Sequence, residues 1–296
     1  MEFLKYQHVE RYGSSEVKNI EKGTCYIFPK IDGTNSSVWL ENGEICAGSR
    51  NRKLSLDNDN QGFYNSIIND EKIKDFLIKN PNLRLYGEWL VPHSLKTYDD
   101  TAWRKFYVFD VCVGDELNYL YYDEYSKLLD EFDIEYIKPI SVIINPTEDN
   151  LIECLKLNTY LITDNGIGEG IVIKNYDFKN HGGHTKWAKI ISSEFLEVSH
   201  RKIPKKSNPD GFEIEQDITD RFVTTALIEK EYAKIINENN GIFENKLIPK
   251  VLNTVYYCLI TEEFWDILKK YKNPKIDFKV LKNKVFEKTR NKILSV

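Results

Sequence analysis

The sequence lacks long apolar runs and paired cysteine motifs, and both absences narrow what the chain can be. Among its 296 residues, no hydrophobic stretch approaches the roughly 18 residues that a membrane span requires. The first ten residues lack the apolar core of a secretion signal, so we expect a cytoplasmic protein, whether cellular or encoded by a virus or phage. The five cysteines are widely spaced without a C-x-x-C pair, which favours reduced thiols over disulfides or a zinc site.

The chain also lacks a positive net charge, but its charge is unevenly distributed. The formal net charge is −5. Residues 174–206 hold eight Lys/Arg against three Asp/Glu, and residues 266–296 hold ten against three. Two basic segments in an otherwise acidic chain are compatible with binding of a polyanion. The alternative for the second segment is a set of solvated lysines on ordinary amphipathic helices.

The spacing of apolar residues changes along the chain and predicts two domains. To about residue 205, β-branched and aromatic residues occur in short alternating runs, which indicates a β-rich mixed domain. Residues 204–211 are rich in Pro, Gly and polar side chains and predict a linker over 206–216. Beyond the linker, apolar residues recur at helical spacing. We therefore predict domains at 1–205 and 217–296, the second being all-helical.

Local patterns predict the elements of the first domain. Alternating apolar runs define the strands, two of them separated by the turn Asn42-Gly43, and longer periodic runs define the helices. The predicted strands cover residues 24–28, 36–41, 44–49, 83–90, 104–113, 134–144 and 169–174, and residues 184–191 close the domain. Pro139 inside the run 134–144 indicates an edge strand or a bend. The predicted helices cover residues 62–79, 123–132 and 146–161, with a helix and loop in residues 1–23.

The most informative stretch is Lys30-x-Asp32-Gly33. Lys30 ends a predicted strand, and Asp32-Gly33 supplies a tight turn directly after it. A lysine in this position is either a nucleophile or a surface cation that keeps its ammonium group in water. Further motifs follow in order: Arg50, Tyr86-Gly87-Glu88, Phe106-x-x-Phe109-Asp110, Glu169-Gly170-x-Val172-x-Lys174, and Lys186-Trp187-Ala188-Lys189.

In order and residue type, these motifs resemble those of the covalent nucleotidyltransferases, the superfamily of DNA ligases, RNA ligases and mRNA capping enzymes. The resemblance covers about residues 24–195. Gly33-Thr34-Asn35 is similar to the RNA ligase 2 family, because DNA ligases and capping enzymes usually carry Arg at the position of Asn35. A helical C-terminal domain in place of an OB domain favours the same family. The resemblance implies an α+β fold, with an ATP-grasp-like ligase domain of antiparallel sheets and flanking helices followed by a small all-α domain.

The resemblance implies an ATP-dependent RNA ligase. Lys30 would attack the α-phosphate of ATP to form lysyl–AMP, AMP would pass to a 5′-phosphate RNA end, and a 3′-OH would displace it. Because a lysine amine has an unperturbed pKa of about 10.4, a nucleophilic lysine needs neighbouring cations such as Lys186, Lys189 and a metal ion to lower that pKa. The implied partner is RNA with 3′-OH and 5′-phosphate ends, duplex or nicked, bound by a monomer. An ATP-dependent DNA ligase, a capping guanylyltransferase and an inactive nucleic-acid-binding protein remain as alternatives.

The family roles carry over residue by residue. The residues implied in catalysis are Lys30, Lys186 and Lys189. The residues implied in nucleotide binding are Lys30, Asp32, Arg50, Glu88, Phe109, Glu169, Lys186 and Lys189, with Phe109 stacking on adenine. Oxygen ligands for Mg²⁺ or Mn²⁺ would come from Asp32, Glu88 and Glu169. The last motif departs from the K-x-K of the family, so one of its two lysines is out of register, and Lys189 is the better match.

Overall fold

Short runs of β-branched and aromatic residues build the strands of the first part of the molecule. The structure is a computed structural model that describes residues 1–91, 98–163, 168–192, 214–239, 242–272 and 274–294. Its strands are β1 (Glu10–Arg11), β2 (Thr24–Lys30), β3 (Thr34–Glu41), β4 (Glu44–Ser49), β5 (Leu83–Leu90), β6 (Lys105–Val113), β7 (Asn118–Tyr119), β8 (Ser141–Ile144), β9 (Gly170–Lys174) and β10 (Ala188–Ile191).

These strands form two five-stranded sheets. Sheet 1 has the order β1-β10-β9-β2-β8, and sheet 2 has the order β4-β3-β5-β6-β7. Every pairing is antiparallel except that of β1 with β10. The chain passes from sheet 1 to sheet 2 in the three residues between β2 and β3. The predicted class of antiparallel sheets with flanking helices is confirmed.

Helices cover the outer face of each sheet. They are α1 (Phe63–Ile68), α2 (Glu71–Lys79), α3 (Tyr122–Asp130) and α4 (Glu148–Leu157). The first three pack on sheet 2 through buried side chains such as Phe63, Phe76 and Leu129. Helix α4 packs on sheet 1 through Leu151 and Leu155. Because side chains alternate along a strand, the other face of each sheet is left for a second, inner set of contacts.

The inner faces of the two sheets enclose two further apolar clusters. Both clusters mix residues of sheet 1 with residues of sheet 2. Their buried members are Phe28, Ile31, Leu90, Tyr98, Ala102, Tyr107 and Ile137 in one, and Tyr6, Tyr86, Cys112, Tyr176 and Trp187 in the other. Aromatic rings therefore fill much of the space between the sheets, and the charged motif residues lie among them.

The described residues after 213 form a separate helical unit. Its helices are α5 (Ile214–Phe222), α6 (Thr225–Glu238), α7 (Ile248–Cys258), α8 (Phe264–Tyr271) and α9 (Phe278–Leu294). They enclose a core that includes Val251, Val255, Ile267, Leu281 and Val285. In the described parts of the chain, no helix is long and apolar enough to cross a membrane. Most of the predicted linker, residues 206–213, lies outside the described residues, and residues 214–216 already belong to α5.

Three predicted elements differ from the structure. The helix predicted over 62–79 is two helices, because Asp70 accepts hydrogen bonds from the backbone N–H groups of Lys72 and Ile73 and starts α2 as its N-cap. The strand predicted over 134–144 is regular only at Ser141–Ile144. The helix predicted within residues 1–23 is a single 3-10 turn, Ser15–Val17, after the short strand β1.

The shortened strand has a physical reason. Its first half follows sheet 2, where the Ile137 N–H donates to the carbonyl of Val108 at 2.8 Å. Its second half follows sheet 1, where the Ile140 N–H donates to the carbonyl of Ile27 at 2.7 Å. Pro139 stands between these two contacts and has no N–H to continue a ladder. Residues 134–144 therefore connect the two sheets instead of running as one strand.

Candidate active site

The turn that joins the two sheets carries the Lys30-x-Asp32-Gly33 motif. Lys30 is the last residue of β2, and Thr34 is the first residue of β3. The Asp32 N–H donates to the Tyr98 hydroxyl at 2.8 Å, and the Gly33 N–H donates to Glu88 Oε1 at 3.0 Å. Both hydrogen bonds hold the turn against neighbouring elements and fix the position from which Lys30 extends.

Glycine is required at position 33 by a close approach of two strands. A Cβ atom on Gly33 would lie 2.5 Å from the carbonyl oxygen of Trp89 in β5. The same reasoning applies to Gly170, where a Cβ atom would lie 2.1 Å from the carbonyl oxygen of Ile190. These two motif glycines therefore allow backbone segments to pack closely around the site.

Lys30 and Glu169 form an ion pair at the start of β9. Lys30 pairs in register with Gly170, so Glu169 directly precedes the residue opposite Lys30. The Lys30 ammonium donates to Glu169 Oε2 at 2.6 Å, and the side chains of both residues are 26% exposed. The structure thus brings together two of the predicted catalytic and nucleotide-binding residues, at a place that remains open to solvent.

Tyr98 lies beside the three predicted metal-binding carboxylates and was not identified from the sequence. Burial raises the pKa of Tyr98 well above its ordinary value, and the negative charges of Glu169, Asp32 and Glu88 raise it further. The phenol therefore stays protonated near three acidic side chains. Residues 92–97, which precede it, lie outside the described part, and no local pattern marks Tyr98 as a site residue.

The carboxylates are near Tyr98 but do not form a preassembled metal site. Asp32 is 6% exposed, and Glu88 and Glu169 are half-buried. Within the residues that the structure describes, no three His, Cys, Asp or Glu side chains are arranged to hold a metal ion. Mg²⁺ commonly keeps water and phosphate oxygens among its ligands, so such a group is not required of the protein alone.

Strand pairing distinguishes the two lysines of the last motif by their place in sheet 1. Lys189 and Phe28 both lie opposite Val172, so all three side chains project from the same face of sheet 1. Phe28 is two residues before Lys30, which places Lys189 on the face that carries Lys30. Lys186 precedes β10 and is an odd number of residues from Lys189, so it does not share the alternation that places Lys189 on the inner face. Trp187 has the parity of Lys189 and is fully buried.

Lys174 lies on the same inner face as Lys30, but its surroundings are closed. It is two residues from Val172 in β9, and its side chain is 3% exposed. Its ammonium donates to Asp110 Oδ1 at 2.7 Å and to the carbonyl of Phe109 at 2.6 Å. Burial lowers the pKa of Lys174 and raises the pKa of Asp110, while each charge opposes the shift of the other.

Phe106 and Phe109, in the same strand, have different surroundings. Phe106 is buried in the outer core of sheet 2. Phe109 is half-buried on the inner side, 5.6 Å from the Lys174 ammonium measured to its ring centroid. A partly open aromatic ring beside a cation is a surface on which a nucleotide base can stack.

Arg50 follows β4 at the end of sheet 2 that is nearest the Lys30 turn. Ser49 pairs with Ser36, two residues after the first residue of β3. The Ser49 N–H donates to the carbonyl of Arg52 at 2.9 Å, so the chain turns directly after β4. Arg50 is half-buried in this turn, at the level at which β3 enters the sheet.

Two largely antiparallel sheets joined at a Lys-x-Asp-Gly turn, with Glu169 paired to that lysine, agree with the covalent nucleotidyltransferase superfamily that the motifs resemble. A family model described as RNA ligase matches residues 23–191, which is more than half of the chain. The chain therefore belongs to the RNA ligase family. No curated protein matches the sequence.

Solved structures share this fold at low sequence identity. A mutant RNA ligase of Naegleria gruberi with AMP and Mn has a TM-score of 0.50 at 21% identity, covering 66% of this chain and 58% of that chain. The same ligase with PPi has a TM-score of 0.49 at 21% identity, covering 67% and 59%. A protein of Aquifex aeolicus assigned as an ATP-dependent DNA ligase has a TM-score of 0.50 at 16% identity, covering 99% and 66%. The present chain thus spans about three fifths of the Naegleria ligase.

Proposed function

We propose that the protein is an ATP-dependent RNA ligase that joins 3′-OH and 5′-phosphate ends through an AMP bound covalently to Lys30. The observation that supports this most directly is the position of Lys30, in a 2.6 Å ion pair with Glu169 at the junction of the two sheets. A half-exposed amine on a rigid strand end is accessible to a nucleotide and fixed in direction. Membership of the RNA ligase family favours the same reaction.

In the first step, Lys30 acts as the nucleophile. Its Nζ atom forms a bond to the α-phosphorus of ATP while the bond from that phosphorus to pyrophosphate breaks. The amine must lose a proton to attack, and Glu169 Oε2, at 2.6 Å, is placed to accept it. Because the hydrogen bonds of Asp32 and Gly33 fix the turn, the amine is held in one direction, and such positioning supplies much of the rate of a displacement at phosphorus.

The other inner-face residues would bind the nucleotide. We propose that Phe109 stacks on the base and that Lys189 binds phosphate oxygens from the face that it shares with Lys30. Arg50, at the end of sheet 2 nearest the Lys30 turn, is proposed as a further phosphate contact. Lys186 is proposed as a weaker phosphate contact. In the second and third steps, AMP passes from Lys30 to a 5′-phosphate RNA end, and an RNA 3′-OH then displaces AMP. Each of these steps exchanges one phosphorus–oxygen or phosphorus–nitrogen bond for another.

Mg²⁺ or Mn²⁺ fits this site only in combination with substrate. We propose that Asp32, Glu88 and Glu169 hold it together with phosphate oxygens and water, because these carboxylates alone form no metal-binding group among the described residues. When bound, the ion would neutralise phosphate charge as pyrophosphate leaves.

Helix α9 of the helical unit carries basic residues on two flanks, and the first flank is used in contacts within the unit. On one flank of α9, Lys284, Lys288 and Lys292 donate to Gln216, to the backbone carbonyls of Thr219 and Asp220, and to Glu229. Those cations already stabilise the contact of α9 with α5 and α6. Three of the six Lys/Arg residues of α9 are therefore used inside the unit.

The other flank of α9 has a different composition. Lys282 lies over the rings of Tyr256 and Phe286, at 5.8 and 5.1 Å from their centroids, and Lys279 and Arg290 are exposed on the same side. Basic residues interleaved with aromatic rings suit an unpaired RNA strand, because every base has a face that can stack. We propose this flank as the RNA contact of the helical unit.

We also propose a cellular compartment and an oligomeric state for the protein. All five cysteines are free thiols, four of them buried, which supports a reducing compartment such as the cytoplasm. We further propose a monomer, because the described chemistry uses residues of a single chain. Analytical ultracentrifugation of the protein with and without RNA tests this proposal.

The deciding experiment is intact mass spectrometry after incubation with ATP and Mg²⁺. We expect the mass to rise by one AMP, and the Lys30→Ala variant to show no rise. Lys22→Ala is the matched control, since Lys22 is an exposed lysine that precedes the same strand. A mass gain that survives in Lys30→Ala would exclude the proposed nucleophile.

Substrate panels separate the alternatives. Transfer from GTP in preference to ATP would identify a guanylyltransferase. Sealing of nicked DNA in preference to matched nicked RNA would identify a DNA ligase, the assignment carried by the Aquifex protein. RNA binding without any AMP transfer would identify an inactive binding protein.

A further inference from the structure

The N-terminal segment, residues 1–12, runs across both sheets. The carbonyl groups of Met1 and Leu4 accept hydrogen bonds from the Trp39 indole at 2.9 Å and the Tyr86 hydroxyl at 2.8 Å, both in sheet 2. At the other end, the N–H groups of Glu10 and Tyr12 donate to β10 and the residue before it, in sheet 1. The segment therefore links the sheets, although it precedes the stretch matched by the family model, residues 23–191.

Tyr6 is the side chain of this segment that enters the space between the sheets. It is 7% exposed. Its hydroxyl donates to Asp110 Oδ2 at 2.5 Å, while Lys174 donates to the other carboxylate oxygen. Burial and the charge of Asp110 raise the pKa of Tyr6 well above its ordinary value, so the hydroxyl remains a donor at any working pH.

The ring of Tyr6 also contacts Phe109 directly. Their centroids are 5.0 Å apart with an interplanar angle of 62°, an edge-to-face arrangement. On the far side, the Tyr6 ring lies 5.0 Å from the ring of Tyr86. Phe109 is therefore held by Tyr6 at its ring and, through Asp110 and Lys174, at its backbone, since Lys174 also binds the carbonyl of Phe109.

We propose that Tyr6 is a positioning residue for nucleotide binding, which it serves by orienting the ring of Phe109 for stacking on the base. This inference rests on the proposed function, in which Phe109 is the base-stacking residue. It assigns a role in the nucleotide site to the N-terminal segment, whose own residues need not touch the nucleotide. The effect of Tyr6 is then confined to ligands that carry a base.

The test measures equilibrium binding of ATP and of inorganic tripolyphosphate to the full chain in the Lys30→Ala background, which cannot form lysyl–AMP. Tyr6→Phe keeps the ring and removes the hydrogen bond, and Tyr6→Leu removes both. We expect the Kd for ATP to rise about three- to tenfold in Tyr6→Phe and more in Tyr6→Leu. The Kd for tripolyphosphate, which has no base, stays within about twofold.

The matched control is Tyr136→Phe. Tyr136 is a buried tyrosine whose hydroxyl donates to the Asp130 carboxylate at 3.0 Å, in the outer core of sheet 2. The Tyr136→Phe variant loses a tyrosine–carboxylate hydrogen bond that does not involve Phe109. Its Kd for ATP should therefore equal that of the Lys30→Ala background, whatever the loss of thermal stability.

Each outcome decides the proposal. Equal weakening of ATP and tripolyphosphate in Tyr6→Phe would overturn it, and so would ATP binding equal to that of Tyr136→Phe. Failure to bind ATP in any variant would overturn it as well. ATP binding without a mass gain on Lys30 in the unmodified chain would refute only the proposed ligase chemistry, and the Tyr6 comparison would remain decisive.

Discussion

Lys30 and Lys174 lie on one face of the same sheet and differ strongly in their contact with solvent. Each forms an ion pair of nearly equal length, 2.6 Å from Lys30 to Glu169 and 2.7 Å from Lys174 to Asp110. The side chain of Lys30 is 26% exposed, whereas that of Lys174 is 3% exposed. An ammonium group that solvent and ligands reach can exchange its partner during a reaction, whereas a buried one cannot leave its carboxylate without a large energetic cost.

The comparison predicts that the same substitution has a large effect on stability at Lys174 and a small one at Lys30. Lys174→Met leaves the Asp110 carboxylate buried without its cation and should lower the free energy of unfolding by about 3–5 kcal/mol. Lys30→Met should change it by less than about 1 kcal/mol, because partly exposed ion pairs contribute little to stability. Urea unfolding followed by tryptophan fluorescence measures both free energies. Trp187 is a suitable probe because its ring centroid lies 5.7 Å from the Lys174 ammonium.

The control is the double variant Asp110→Asn/Lys174→Met, which removes both charges. It should be more stable than Lys174→Met alone, because no uncompensated charge remains buried. If Lys30→Met and Lys174→Met proved equally destabilising, exposure would not distinguish the two ion pairs and the comparison would fail.

The second prediction concerns the partner of the exposed lysine. Glu169→Gln keeps a side chain of the same size but removes the carboxylate that orients Lys30. We expect AMP attachment to slow on the order of 100-fold, the scale on which a single preorganised polar contact affects catalysis. The melting temperature should change little, because the ion pair is partly exposed.

Glu153→Gln, an exposed position on α4, is the matched control for this change. A rate of AMP attachment equal to that of the control would show that Glu169 has no role in the first step. The measurement is the initial rate of the mass gain at saturating ATP.

The sequence predicted the solvent-exposed part of the site, around Lys30, better than the buried part, around Lys174. Strands β3, β4 and β5 and the turn at Lys30 follow from local alternation and turn chemistry, and they place Lys30 next to Gly33 without any tertiary information. The motif series of the family implied that Lys30 and Glu169 belong to one nucleotide site, but it did not predict that these two residues, 139 positions apart, form an ion pair. Local physical patterns did not supply it.

The buried part of the site, around Lys174, depends on contacts that no local sequence pattern encodes. The Tyr6 hydroxyl and Asp110 are 104 positions apart, and the surrounding sequence of Tyr6 is polar and aperiodic. Tyr98 was missed for the same reason. Residues 134–144 were predicted as one strand with an edge or a bend at Pro139, whereas the chain changes sheets at that residue. Burial of a polar residue is decided by packing of distant segments, which sequence periodicity does not report.

The smallest expected effect tests the register of the last motif. Lys189 shares the inner face with Lys30, whereas Lys186 precedes β10 with the opposite parity. Because both lysines are half-buried and only three positions apart, they form a matched pair. Lys189→Ala should slow AMP attachment about tenfold, the effect of losing one charge-assisted phosphate contact. Lys186→Ala should stay within about twofold of the unmodified rate. The reverse order would show that the loop before β10, and not the strand face shared with Lys30, binds the phosphates.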